Sequence, residues 1–122
     1  MQSVNQSAED YLETIFVLQQ TIGDVRSIDI VNETGYSKPS ISIAMKKLKE
    51  KKYIDIDGHG YITLTETGKK LANKVYEKHC CLKKFFTMIG VSEETAAKDA
   101  CSIEHLISDE TFACIKKYTN IC

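Results

Sequence analysis

The segment Cys101-Ser102-Ile103-Glu104-His105 offers a thiol, a carboxylate and an imidazole at positions i, i+3 and i+4. On a helix that spacing turns all three to one face. Sulfur, oxygen and nitrogen donors on one stripe suit a transition metal better than a packed core or a solvated surface. Three ligands do not close a site, and two other helical stretches offer more. Asp10 and Glu13 stand at i and i+3, and His79 falls on an apolar stripe between Val75 and Leu82. Each residue taken singly has a plainer role. Asp10 suits a helix start, where an acid favours the macrodipole. Glu13 suits a surface, His79 a hydrogen-bonded core position, and Cys101 a small buried apolar site. Their conjunction on separate helices is what points to a metal.

The elements that must position these residues can be read in order. Ser7, followed by Ala8-Glu9-Asp10, predicts the N-cap of a first helix with Leu12, Ile15, Phe16 and Tyr11 on its apolar side, ended by Gly23-Asp24. Ser27 predicts the cap of a short second helix over SIDIVNET, closed by the turn at Gly35-Tyr36. Ser37 caps a third, in which Pro39 is tolerated because its missing N–H falls in the first turn. Ile41, Ala44, Met45 and Leu48 form the buried face of that helix, and Lys38, Ser42, Lys46 and Lys49 run down another side. Two helices about a glycine turn, the second basic outside, make a helix-turn-helix.

The period then changes to two. Tyr53–Asp57 alternates, Gly58-His59-Gly60 turns, and Tyr61–Thr65 alternates back, which predicts a β-hairpin. A hairpin directly after a recognition helix is a wing. A long amphipathic helix follows over 66–89, ended by Gly90. Ser92 opens a fifth helix carrying the Cys-Glu-His stripe, and Ser108 opens a sixth. The fold class expected is mainly α: a winged helix-turn-helix domain over 1–72, then an all-helical metal-binding and dimerisation domain over 73–122. Ala96, Ala100, Ile103, Ile107, Phe112 and Ile115 exceed what so short a segment can bury on itself, which suggests a homodimer surface.

Composition narrows the function. The net charge of −1 hides a division: 13 Lys or Arg against 7 Asp or Glu from Arg26 to Lys84, and 3 against 10 elsewhere. A basic middle suits a polyanion and acidic ends suit a cation. No apolar run approaches the ~18 residues of a membrane span, and MQSVNQSAED has no signal-peptide pattern. A cytoplasmic protein with no membrane role is expected, its five cysteines reduced. Neither a glycine-rich phosphate loop, a nucleophile elbow nor a zinc-hydrolase helix motif is present, so an enzyme is disfavoured, and no organic cofactor is called for.

The start of the third helix is the part that meets base edges in the major groove. Ser37, Lys38, Pro39, Ser40, Ser42 and Ile43 occupy it. Ile43 lies off the buried face, either packed against the wing or touching a thymine methyl. Lys46 and Lys47 suit phosphates, with Arg26, His59 and Tyr61 as flanking contacts.

Several motifs together carry a resemblance: E9-D-Y-L-E-T-I, G35-Y-S-K-P-S-I-S, L64-T-x-T-G-K, K78-H and, most specifically, D99-A-C-S-I-E-H-L-I-S108. Over nearly its whole length the sequence resembles the metal-dependent repressors of the diphtheria toxin repressor and manganese transport regulator (DtxR/MntR) family. The resemblance implies a metal site of Asp10, Glu13, His79, Cys101, Glu104 and His105. Asp10 and Glu13 look like the manganese branch, whereas Cys101 looks like the iron branch. Lys83 and Ala97 stand where the iron branch has the Glu and His of a second site. Carboxylates suit Mn²⁺, while a thiolate pulls toward Fe²⁺, Co²⁺ or Zn²⁺. The balance leans to Fe²⁺ over Mn²⁺ in the cell, with Zn²⁺ or Co²⁺ binding in vitro.

The expected function is a transcriptional repressor in which Fe²⁺ or Mn²⁺ is co-repressor for metal-homeostasis genes. Without metal, Asp10, Glu13 and Glu104 would repel: at ~5 Å and an effective dielectric of ~20, roughly 3 kcal/mol per pair before screening. The partners expected are a double-stranded, pseudo-palindromic DNA operator and a second copy of the chain. The competing expectation is a winged-helix regulator that binds DNA without metal or answers an organic ligand, with Cys101 and His79 as core.

Overall fold

The computed structural model of the chain describes residues 4–119. Its elements are α1 (Val4–Ile22), α2 (Ser27–Thr34), α3 (Lys38–Glu50), β1 (Ile54–Ile56), β2 (Ile62–Leu64), α4 (Glu66–Met88), α5 (Glu93–Ile103) and α6 (Asp109–Thr119). They fall into two compact units, Met1–Asn73 and Lys74–Cys122. The fold is mainly α, a winged helix-turn-helix followed by a helical part, as the sequence leads one to expect.

In the first unit the capping chemistry is partly that read from the sequence. α1 opens at Val4, so Ser7 lies inside the helix rather than capping it. Nothing in the residues before Ser7 breaks a helix, and the turn extends backward. Arg26, not Ser27, is the N-cap of α2. The carboxylate of Asp29 accepts the Arg26 N–H at 2.8 Å, and the Asp29 N–H donates to the Arg26 carbonyl at 3.0 Å. The acid three residues on thus fixes the start of this helix. Gly35 closes it in the left-handed region at φ 77, its N–H donating to the Val31 carbonyl at 2.8 Å. Ser37 caps α3 as expected, its hydroxyl accepting the Ser40 N–H at 3.2 Å. Leu12 and Ile15 of α1, Ile30 of α2, and Ile41, Met45 and Leu48 of α3 are buried in one core with Ile54, Ile62 and Leu64 of the hairpin.

The hairpin is antiparallel, pairing Ile54 with Leu64 and Ile56 with Ile62. Val25 adds a bridge that periodicity does not announce: the Ile62 N–H donates to its carbonyl at 2.7 Å. The wing is therefore tied, at the turn end of β2, to the residue before the Arg26 cap. The sequence L64-T-x-T-G-K gains a physical reason at the start of α4. The Thr65 hydroxyl donates to the Lys52 carbonyl at 2.7 Å and accepts the Gly68 N–H at 3.1 Å. A Cβ on Gly68 would lie 2.0 Å from the Tyr53 carbonyl oxygen, so no other residue fits.

In the second unit α4 ends in a Schellman turn at Gly90 (φ 105). The Val91 N–H donates to Phe86 at 3.0 Å and the Gly90 N–H to Thr87 at 3.1 Å, which satisfies carbonyls the helix end leaves open. Ser92 and Ser108 cap the helices after them, their hydroxyls accepting the N–H of Thr95 and Thr111. Ala96 and Ala100 are wholly buried within the single chain. They therefore cannot form the dimer surface expected of them. Among the described residues, the large apolar groups exposed here are Met88, Ile89, Leu106 and Tyr118.

Candidate functional site: metal centre and nucleic-acid interface

Glu104 of the second unit is buried, 1 % exposed. It is the C-cap of α5 with helical backbone angles, its N–H donating to the Ala100 carbonyl at 2.9 Å. Beyond it the chain tightens, Leu106 donating to Ile103 at 3.0 Å and Ile107 to the same carbonyl at 2.9 Å. His105 thus sits on a turn past the helix end rather than on the helix, as its spacing predicted. Cys101 lies on an exposed flank of α5.

The two imidazoles of the unit meet Glu104 from either side. His79, held on α4 between buried Val75 and Leu82, brings Nδ1 to 3.1 Å from Glu104 Oε2. That contact is a hydrogen bond when Nδ1 carries the proton. His105 brings Nε2 to 3.4 Å from Oε1. The second approach lacks hydrogen-bond geometry, because Oε1 is buried with no hydrogen-bond partner. A buried carboxylate oxygen left unpaired costs roughly 1–3 kcal/mol or more. A divalent cation taking oxygen from Glu104 and nitrogen from an imidazole would remove that cost, so the donor chemistry fits a metal. Glu104 and His105 also belong to a set of grouped donor atoms suited to holding an ion. Asp10, exposed, and Glu13, half-buried, lie on α1 of the first unit.

The residues expected to read DNA share the first unit. Ser37, Lys38, Pro39, Ser40, Ser42, Lys46 and Lys47 are all exposed along α3. Ile43 is 59 % exposed, which rules out the reading that packs it away against the wing. Arg26 lies over the ring of Tyr61 at 4.3 Å from the centroid, and His59 is exposed at the wing turn.

Two contributors escaped sequence reasoning. The Asp57 carboxylate accepts the N–H of His59 at 2.8 Å and of Tyr61 at 3.0 Å, which shapes the wing turn. The Tyr61 N–H holds its carboxyl below the usual carboxylate range against a small opposing effect of burial, helped by the His59 N–H and the charges of His59 and Arg26. The signal was present in Asp57-Gly58, a turn-forming pair. Tyr36, exposed in the turn before α3, stacks edge-on against Tyr11 of α1 with centroids 6.3 Å apart.

A winged helix-turn-helix followed by a helical unit in which two imidazoles flank a buried carboxylate is the arrangement of a metal-responsive DNA-binding regulator. Residues 3–61 match the N-terminal DNA binding domain of the iron dependent repressors, and residues 65–121 match their metal binding and dimerisation domain. The chain is 32% identical over 111 residues to the transcriptional regulator MntR of Escherichia coli O6:H1, covering 91% of this chain and 72% of that one. It belongs to the iron-dependent repressor family, whose members are regulators rather than enzymes. An uncharacterised HTH-type regulator of Methanocaldococcus jannaschii is 31% identical, covering 93% of this chain and 92% of its own length. Among solved structures, a manganese-dependent transcriptional repressor in complex with manganese superposes with a TM-score of 0.85 at 27% identity over 94% of this chain. The chain spans about half of that structure, 53%.

Proposed function

We propose that this chain is a transcriptional repressor whose DNA affinity rises when Mn²⁺ or Fe²⁺ is bound by Asp10, Glu13, His79, Glu104 and His105, with Cys101 as a further donor. The observation that carries the reading is the Glu104 carboxylate, buried between two imidazoles with one oxygen that makes no hydrogen bond. The bound cation supplies positive charge to carboxylates that otherwise repel one another. Glu104 and the imidazoles stay where the second unit packs them, and α1 presents Asp10 and Glu13 from the unit that carries the recognition helix. A ligand set drawn from both makes the placement of the reading unit depend on the metal. Couplings of this kind are worth ~1–3 kcal/mol, about 5–150-fold in affinity.

Ser37, Lys38, Pro39, Ser40, Ser42 and Ile43 meet base edges, while Lys46, Lys47, Arg26, His59 and Tyr61 meet the phosphate backbone. Two copies of the chain present two recognition helices to a pseudo-palindromic operator controlling metal-homeostasis genes in the cytoplasm. The choice between the two metals turns on Cys101. As a donor its thiolate pulls toward Fe²⁺, and without it the oxygen and imidazole set suits Mn²⁺. Among the described residues no helix is long and apolar enough to cross a membrane.

The test is an anaerobic titration of duplex DNA with Mn²⁺, Fe²⁺, Zn²⁺ or chelator present. Affinity should rise at least fivefold with the physiological metal and return to the apo value with EDTA. Equal affinity with and without chelator would refute the co-repressor role.

A further inference from the structure

The first unit contains a cavity of about 420 Å³ lined by Ser7, Ala8 and Tyr11 of α1, by Ser40, Ile43, Ala44, Lys47 and Leu48 of α3, and by Lys51. None of these lining residues is among those assigned to the metal. Its size lies within the roughly 300–1,000 Å³ of small-molecule sites, and such sites combine apolar walls with a few polar groups that fix orientation. Here Ala8, Ala44, Leu48 and the exposed Ile43 supply the walls. Lys47 and Lys51, one turn apart on the same side of the chain, supply two positive charges, and among the described residues no acidic one lines the cavity. Apolar walls under a pair of ammonium groups complement one kind of molecule, a short alkyl chain ending in a carboxylate.

We infer that this cavity binds a small amphipathic carboxylate and that its occupant and DNA exclude one another. The alkyl chain lies against Ala8, Ile43, Ala44 and Leu48, and the carboxylate meets Lys47 and Lys51 at the rim. Ser40, Ile43 and Lys47 are shared with the surface assigned to DNA, so filling the cavity removes groups that duplex needs. By linkage, whatever factor the ligand costs the DNA, the DNA costs the ligand. The site would make the reader unit answerable to an organic anion as well as to a metal, with opposite signs.

The probe is decanoate, compared with decanol, which lacks the charge, and acetate, which lacks the chain. Binding to the full chain is followed by methyl and amide NMR shifts and by calorimetry, and duplex affinity is measured with and without decanoate. Decanoate should shift resonances of Ala8, Ile43 and Ala44 and bind at least tenfold more tightly than acetate and several-fold more tightly than decanol. Saturation should lower duplex affinity at least fivefold. Lys51→Gln, a position not assigned to DNA, should weaken decanoate about three- to fivefold, the scale of an exposed ion pair, and leave duplex affinity unchanged. Ala44→Leu, which narrows the cavity, should weaken decanoate without abolishing the cooperative melt. Shifts confined to other residues, equal binding of decanoate and decanol, or unchanged duplex affinity at saturation would each overturn the inference. The competition arm alone rests on the repressor reading: a chain that binds no duplex under any metal condition sinks that reading, while the NMR and Lys51→Gln arms still decide this one.

Discussion

The Arg26 guanidinium lies 4.3 Å from the centre of the Tyr61 ring, joining the cap of α2 to the residue that leads into β2. Cation–π contacts at exposed sites are worth ~0.5–1 kcal/mol, chiefly by limiting where a flexible cation can go. Arg26 is further fixed by its backbone bond to Asp29 and by the adjacent Val25 bridge to Ile62. If Tyr61 serves DNA by holding Arg26, the two substitutions must not add. Arg26→Gln should lower duplex affinity and reduce the slope of log affinity against log salt by about 1, the signature of one lost phosphate contact. Tyr61→Leu should reproduce part of that loss and cost almost nothing further in the Arg26→Gln background. Additive losses in this cycle would mean that Tyr61 acts alone.

Glu104→Gln separates the cost of the buried charge from its use. The amide keeps the shape and removes a buried charge but gives up the charged contacts to His79 and His105, so the metal-free protein should melt near the wild-type temperature. The rise in melting temperature on adding Mn²⁺ should disappear. For the wild type, metal at 100 times its dissociation constant is worth about 2.7 kcal/mol. A Glu104→Gln protein still stabilised by Mn²⁺ to the wild-type extent would remove this residue from the site.

Gly68→Ala tests the approach of α4 to the turn after α3. The added Cβ would meet the Tyr53 carbonyl oxygen at 2.0 Å, a backbone atom that cannot rotate aside. Overpacking of this kind costs roughly 1–3 kcal/mol, occasionally more, and urea denaturation should place Gly68→Ala at the upper end. Ala in place of the exposed Gly58, whose Cβ would meet nothing, is the control.

The wing turn should be sensitive to acid. Asp57 titrates below its ordinary value because its ionised form accepts the Tyr61 and His59 N–H groups. A depressed folded pKa means a contribution present in full above the unfolded carboxylate value, near 4, and lost as pH falls through the folded one. Amide exchange at His59 and Tyr61 should therefore be slow at neutral pH, relative to Asp57→Ala, and the difference should vanish in strong acid. Protection in Asp57→Ala equal to that of the wild type would show that the turn holds without its carboxylate.

The helices and the wing were legible because their signals are local. Ser37 before Lys38-Pro39, Gly35 and Gly90 at helix ends, and the alternation of Ile54, Ile56, Ile62 and Leu64 each act within a few residues. What escaped was set by a competing local cap or by tertiary contact. Arg26 displaced Ser27 as a cap because Asp29 could reach its N–H, and Val25 became a bridge only because β2 folds back beside it. The donor residues of the site were legible by type and spacing, but their surroundings were not. Nothing in Cys101-Ser102-Ile103-Glu104 announces that α5 stops at Ile103 and that the thiol stays exposed while the carboxylate is buried. Ala96 and Ala100 misled for a related reason, since small apolar residues serve a tight interior as readily as a dimer contact.

The Val25 bridge has a consequence for how the chain behaves in a crowded solution. An open strand margin is a row of unmet donors and acceptors, a template on which another molecule can add a strand and begin to aggregate. At Ile62 that row is already filled from within the same chain. The outer side of β2 is thereby blunted next to the turn, which leaves a hairpin free to approach a nucleic acid without seeding self-association along that margin.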